Sequence, residues 1–390
     1  MPLALYALAL ALFVMGTSEF ILAGLLPAIA MDLDVSIGTA GLLTSAFAGA
    51  MVIGAPLMAA VSHRWPPRFT LVVCLLLFAG CHIVGALTPD FSLLLATRAL
   101  SALANAGFLA VALSRATTLV PADRKGRALS ILLSGTTIAT VVGVPAGTLI
   151  GTTLGWRAMF WLPAALCVPA LIGVLRGITS AATGAGHAVS PGLRAEFSQL
   201  RRPRVVLAMS LGALVNGGTF AAFTFLAPVV TEVAGLSEGW ISAALVMFGV
   251  GSFLGVATAG RLSDRHPGVV LGLGGPLLLV GWIASVLIAP FPVALIVLVF
   301  VQGFLSFGVG STLIAQVLHA ASGAPTMGGS YATAALNIGA AAGPVLGAFG
   351  LTTRAGLLAP FWVAAVLTGI ALVFLLVAAR TRKDETAAAR

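Results

Sequence analysis

The chain has 390 residues, 59% of them apolar and only 8% charged. A soluble domain carries roughly 25% charged residues, so this composition builds no soluble surface and excludes a cytosolic enzyme, a disordered chain and a secreted disulfide scaffold. The formal net charge of +9 reads as orientation in a bilayer, where cytoplasmic loops gather Lys and Arg, and not as a nucleic-acid footprint.

A membrane-spanning helix needs about 20 predominantly apolar residues. In chain order twelve segments qualify: 4–28, 38–61, 69–88, 92–113, 128–151, 157–177, 205–230, 239–260, 268–289, 292–317, 327–351 and 357–379. They are numbered as spans 1 to 12. The first lacks a basic leader and is too long for the apolar part of a signal peptide. The connections are short except for 178–204, rich in Gly, Ala, Ser and Arg, at the middle of the chain. The expected organisation is a six-helix bundle over 1–177, a cytoplasmic linker over 178–204, a second bundle over 205–379 and a cytoplasmic tail over 380–390.

Charge placement sets the expected orientation. With both termini in the cytoplasm, all of the 20 Lys and Arg residues except Arg157, Arg354 and Arg98 fall in cytoplasmic segments. The outer connections instead carry Asp32, Asp34, Asp90, Glu232 and Glu238. One span more or fewer would scramble this bias.

The halves repeat. Gly260-Arg261-Leu262-Ser263-Asp264-Arg265 follows span 8, and Ala59-Ala60-Val61-Ser62-His63-Arg64 follows span 2. Span 5 carries Gly143, Pro145, Gly147 and Gly151, and span 11 carries Gly339, Gly343, Pro344 and Gly347 at nearly the same offset. Such six-plus-six repeats are the architecture of secondary transporters, with the substrate site between the halves. Glycine at every fourth position packs helices closely, and a proline beside it also permits bending.

Other chemistries find no residues. The two lysines, Lys125 and Lys383, precede Gly126 and Asp384, so a GxxxxGK[ST] phosphate loop is impossible. Every aspartate falls in a loop, HExxH is missing, and Cys74, Cys81 and Cys167 sit in apolar runs. His82 alone among the five histidines lies in a span, with nothing at metal-ligand spacing. No metal, cofactor or catalytic residue is expected, and solute movement driven by a gradient remains.

Ionisable groups at membrane depth are costly and are functional candidates. Glu19 is the only acid inside a span, in Gly16-Thr17-Ser18-Glu19-Phe20. A carboxyl there is placed to take a proton on one side and release it on the other. Arg98, in span 4, cannot lose its proton and must face a cavity, a carbonyl or a carboxylate, as a coupling group or as a structural one. Asn105, Asn216 and Asn337 fall near the middles of spans 4, 7 and 11. They serve either as lining of a polar cavity or as interhelical hydrogen bonds. Gln302 in span 10 takes roughly the place of Arg98 in the first half, which assigns proton handling to the first half.

These motifs resemble a known family. Residues 260–265 are similar to the loop signature of the major facilitator superfamily, and Arg98 fits the arginine of its span-4 motif. Gly143-Val144-Pro145-Ala146-Gly147 resembles the proton-antiporter motif of span 5, with one residue inserted between glycine and proline. Residues 155–161, Gly-Trp-Arg-Ala-Met-Phe-Trp, look like the start of span 6 in twelve-span drug–proton antiporters. The segments 16–27 and 143–151 look closest to actinobacterial chloramphenicol-resistance exporters. The resemblance covers essentially the whole chain.

It implies an all-α membrane protein of two six-helix bundles that exports chloramphenicol or a related small drug in exchange for protons, working as a monomer in the lipid bilayer. Glu19 and Arg98 are the expected coupling pair. Phe220 and Phe223 in span 7 are the expected stacking partners for the drug's ring, with the asparagines bonding its polar groups. The resemblance also implies an inside gate at the loop signature. Here His63 stands where an aspartate is expected, and Pro66 and Pro67 replace a glycine and a basic residue. The gate is therefore expected to rest on Asp264 and Arg265, with Arg64 in the first copy and Arg127 near Asp264. An exporter of sugars or nucleosides and a nutrient importer of the same fold are the alternatives.

Overall fold

The structure is a computed structural model that describes residues 2–61, 65–121, 124–178, 193–263, 266–324 and 327–388. Among them twelve helices are long and apolar enough to cross a membrane, one in each expected segment. Prolines open several: Pro67, Pro203, Pro267 and Pro292 lie in the first turn, where a missing N–H costs no hydrogen bond. Asp90 caps span 4, its carboxylate accepting from the Leu93 N–H at 2.7 Å. Gly155, at φ 87°, ends span 5 in a backbone conformation that side chains rarely adopt. Outward faces carry exposed Leu76, Val168, Leu277, Leu287, Val373 and Leu376. Apolar exposure on that scale has no place in water and suits lipid.

Spans 1, 5 and 7 depart from plain α-helix within their length, and span 12 opens on a 3₁₀ turn, Gly356–Leu358. Span 1 is α-helical over Leu3–Phe20, tightens to a 3₁₀ turn over Ile21–Gly24 and resumes over Leu26–Asp32. Span 5 contains a π stretch, Ala139–Gly143, immediately before the Val144–Leu154 helix that carries Pro145. Proline cannot donate to the helical ladder, and the wider turn absorbs the mismatch. Span 7 is regular over Pro203–Thr224, shorter than expected, and continues through a π stretch at Val229–Val233.

The internal repeat recurs in the packing. Span 1 packs on 5 and 6, span 2 on 4, and span 3 on 4 and 6. Correspondingly, span 7 packs on 11 and 12, span 8 on 10, and span 9 on 10 and 12. Spans 2 with 11 and 5 with 8 join the halves. The glycine arrays do the same work in each: Gly143 abuts Thr17 and Phe13 of span 1, while Gly343 abuts the backbone of Gly217 and Ala221 in span 7. A Cβ at Gly343 would collide with that backbone, which cannot yield as a side chain can. Gly343→Val is therefore expected to cost more than the ~1–3 kcal/mol of ordinary overpacking. The readout is a clear drop in detergent melting temperature, whereas Gly310→Ala, in open space, leaves it unchanged.

At the pole away from the termini the halves meet through apolar and small residues. Phe225 is fully buried among Leu26, Ala30 and Ala40 and touches Gly41, while Gly38 meets Ala348. At the same pole Arg157 pairs with Asp32, to which Trp156 Nε1 also donates at 3.2 Å. That clasp lies wholly within the first half. The short helix Leu193–Ser198 before span 7 is anchored to span 11. The buried Glu196 carboxylate accepts from the Met327 N–H at 2.8 Å, and its carbonyl accepts from the Tyr331 hydroxyl at 3.0 Å.

Candidate functional site

The centre of the first half is a polar cluster from spans 1, 3 and 4. Arg98 is 1% exposed. One of its terminal nitrogens donates to Ser18 Oγ at 2.9 Å and the other to the Ser18 carbonyl at 3.0 Å. The α-helix of span 1 gives way to the 3₁₀ turn just beyond Ser18. The guanidinium also lies 4.7 Å from the centre of the Phe47 ring in span 2, a cation–π contact. His82 of span 3 completes the cluster. Its Nδ1 lies 2.8 Å from the Phe78 carbonyl and its Nε2 2.6 Å from Ser18 Oγ. A carbonyl only accepts, so Nδ1 carries the proton. In a neutral ring Nε2 then accepts from the Ser18 hydroxyl, and that hydroxyl oxygen accepts from Arg98.

Glu19 follows Ser18, and successive helical side chains point about 100° apart. Ser18 faces the bundle interior, while Glu19 is half-buried and makes no hydrogen bond or ion pair among the described residues. Arg98 acts on it electrostatically without touching it. The structure thus brings Glu19 and Arg98 into one neighbourhood and spends the arginine's donors on Ser18. Sequence reasoning missed Ser18 and His82 as members of this cluster. The one signal was a histidine at membrane depth.

Phe220 and Phe223 are buried and adjacent, their ring centroids 6.2 Å apart. Phe20, the residue after Glu19, lies 5.9 Å from Phe220 and 6.5 Å from Phe223. Phe248 of span 8 lies 4.8 Å from Phe223, and Phe307 of span 10 lies 5.9 Å from Phe248. Phe223, Phe248 and Phe307 wall a cavity between the halves, closed on the first-half side by Phe20, Thr140 and Val144, and Phe220 lies outside its lining. Phe20, Phe248 and Phe307 were not singled out in the sequence, where span phenylalanines carry no mark of which neighbour they face.

The asparagines do not converge there. Asn216 donates to the Leu336 carbonyl at 2.7 Å and ties span 7 to span 11; Asn337 donates to the Thr333 carbonyl of its own helix at 2.9 Å; Asn105 is buried in span 4. Gly147 packs on Met159 and Ile21, and Pro145 is buried. Asp264, Arg265 and Arg64 lie outside the described residues.

Comparison with known proteins agrees with this geometry. The sequence profile of the Major Facilitator Superfamily matches residues 8–334 and 239–390. The chain is 60% identical to a chloramphenicol resistance protein of Streptomyces lividans, over 96% of this chain and 95% of that one. It is 32% identical to the inner membrane transport protein YdhP of Escherichia coli K12, over 97% of each. A bacterial homolog of the human lysosomal transporter Spinster, solved inward-facing and occupied, superposes with a TM-score of 0.77 at 19% identity, over 97% of this chain and 96% of that one. That similarity speaks to the fold alone. With its twelve apolar helices, the chain is a multi-pass cell membrane protein and belongs to the Major Facilitator Superfamily.

Proposed function

We propose that this protein exports chloramphenicol or a closely related small drug in exchange for protons, acting as a monomer with both termini in the cytoplasm. One observation carries the coupling: Glu19 is an uncommitted carboxyl that directly precedes Phe20, a wall residue of the aromatic cavity between the halves. The cargo assignment rests on the relative described as a chloramphenicol resistance protein and on the phenylalanine walls, which suit a neutral aromatic solute. An exporter of sugars or nucleosides would need a denser set of hydrogen-bonding groups than these walls supply.

In this mechanism Ser18 and His82 are positioning residues. They hold the guanidinium off the carboxyl, so that Glu19 exchanges its proton with the cavity and is not locked in an ion pair. Protonated and ionised Glu19 favour different arrangements of the two bundles. A drug and a proton that bias one equilibrium in opposite senses are coupled, and the coupling is reciprocal. Exchange of a neutral drug for one proton moves charge inward, so the membrane potential adds about 2.3 kcal/mol per 100 mV. The bundles, 1–177 and 205–379, are the rocking units, with the pole sealed around Phe225 facing outward and the Asp264–Arg265 loop gating the other.

Labelled chloramphenicol is the direct test. Cells expressing the chain are expected to accumulate less drug than empty cells, and collapse of the proton gradient by a protonophore is expected to abolish the difference. Equal accumulation in both would remove the phenicol assignment and leave the fold untouched.

A further inference from the structure

A second cavity lies within the C-terminal half and shares Phe223 and Phe248 with the one between the halves. Its far wall is Trp282 of span 9, Val299 and Gln302 of span 10 and Phe361 of span 12. Trp282 and Gln302 are each 2% exposed. The Trp282 ring stacks on Phe361, centroids 6.3 Å apart and planes 19° apart. Gln302 Nε2 donates to the Leu278 carbonyl at 3.3 Å, and its amide lies directly against Gly281, where any side chain would collide. Both side chains are thus held in place.

Each nevertheless keeps one buried polar atom without a hydrogen-bond partner: Trp282 Nε1 and Gln302 Oε1. An indole N–H only donates and an amide oxygen only accepts. Native proteins rarely leave buried polar atoms unsatisfied, and here two of opposite sense belong to one wall. Ser285, also in this wall, spends its hydroxyl on the Gly281 carbonyl at 2.8 Å. No charged side chain lines the cavity. At the offset relating the loops after spans 2 and 8, Trp282 corresponds to Cys81, next to His82, and Gln302 to Ser101, one turn from Arg98. The second half thus carries a neutral polar pair beside the places where the first half carries His82 and Arg98.

We propose that this cavity is the subsite for a neutral, hydroxyl-bearing arm of the exported drug. The hydroxyl donates to Gln302 Oε1 and accepts from Trp282 Nε1, while the drug's aromatic ring lies against Phe223 and Phe248. The proposal rests on the drug-export reading. In chloramphenicol the group that fits is the primary hydroxyl, at the end of the chain away from the ring.

The test compares chloramphenicol with its analogue carrying fluorine in place of that hydroxyl, by the KM of export into inverted vesicles. The wild-type protein is expected to favour the hydroxyl form about tenfold, the equivalent of two hydrogen bonds of modest net strength. Trp282→Phe, which keeps the ring stack, and Gln302→Leu are each expected to cut that preference to about threefold by weakening the hydroxyl form alone, half of the tenfold on the free-energy scale. Gln302→Leu is expected to reach the membrane and melt near the wild-type temperature, since it deletes an unpartnered acceptor and gives up only the long 3.3 Å bond to the Leu278 carbonyl. Should it fail to fold, Trp282→Phe decides alone. Equal handling of the two drugs by the wild type, or equal weakening of both by the variants, overturns the subsite and leaves drug export standing. Export of neither drug by the wild type overturns the export reading and the subsite together.

Discussion

The Glu19→Gln variant is expected to reach the membrane at the wild-type level, to melt at the wild-type temperature and to lose proton-driven export. The structural half of this expectation follows from what Glu19 does not do. Its carboxyl makes no hydrogen bond or ion pair among the described residues, so an isosteric amide breaks nothing. The functional half follows from chemistry: an amide neither gains nor loses a proton at physiological pH. In inverted vesicles, the component of drug uptake that responds to an imposed pH gradient is expected to fall at least tenfold, to the level of empty vesicles. Counterflow of labelled against unlabelled drug requires no net proton movement and is expected to persist. Normal gradient-driven uptake by this variant would remove Glu19 from the mechanism. Loss of counterflow as well would make it a binding residue and not a coupling one.

Arg98 is expected to show the opposite pattern, with fold and function failing together. Its guanidinium donates to both oxygens of Ser18 and lies over Phe47, at 1% exposure. Hydrogen bonds to a charged group contribute about 1.5–3 kcal/mol each, so Arg98→Ala loses two of them and leaves a hole in the bundle. A large fall in melting temperature and no transport are expected. Arg98→Lys is the sharper variant. One ammonium cannot reproduce the planar fork, so it holds Ser18 less firmly and is freer to pair with Glu19. The expected outcome is folded protein whose export has a displaced pH profile. Ser18→Ala, which releases one arm of the fork, is expected to shift the profile the same way with a smaller loss of stability. Wild-type pH dependence in both would show that holding Arg98 off the carboxyl has no part in coupling.

Most of the fold was legible because hydropathy is a local property. A run of apolar residues announces a span wherever its neighbours lie. The repeat was legible from Gly143, Gly147, Gly343 and Gly347, because a helix that presses on another backbone needs a missing side chain. The ends of spans 1, 5 and 7 were less so, since the 3₁₀ and π stretches answer to packing and to Pro145 and not to composition. The site was half legible. Glu19 and Arg98 stand out because ionised groups are rare in hydrocarbon. Their arrangement does not, because the cluster joins Ser18 to residues 64 and 80 positions away. Serine and phenylalanine are ordinary in a span, so nothing in the sequence picks Ser18 from Ser101 or Phe248 from Phe253. The asparagines were conspicuous for their polarity, yet Asn216 and Asn337 spend their amides on helix carbonyls.

The pole sealed around Phe225 joins the halves through carbon, and the ion pair at that pole, Arg157 with Asp32, lies inside one half. Parting the halves there breaks no bond between charges. What resists is the entry of water against Phe225, Leu26 and Ala30, a cost set by the area laid bare and rising with warming through the cold half of the temperature range. The latch is thus a wetting threshold: indifferent to ionic strength, stiffer in the presence of salting-out solutes, and eased by anything that lowers the tension between water and hydrocarbon, an amphiphilic drug included.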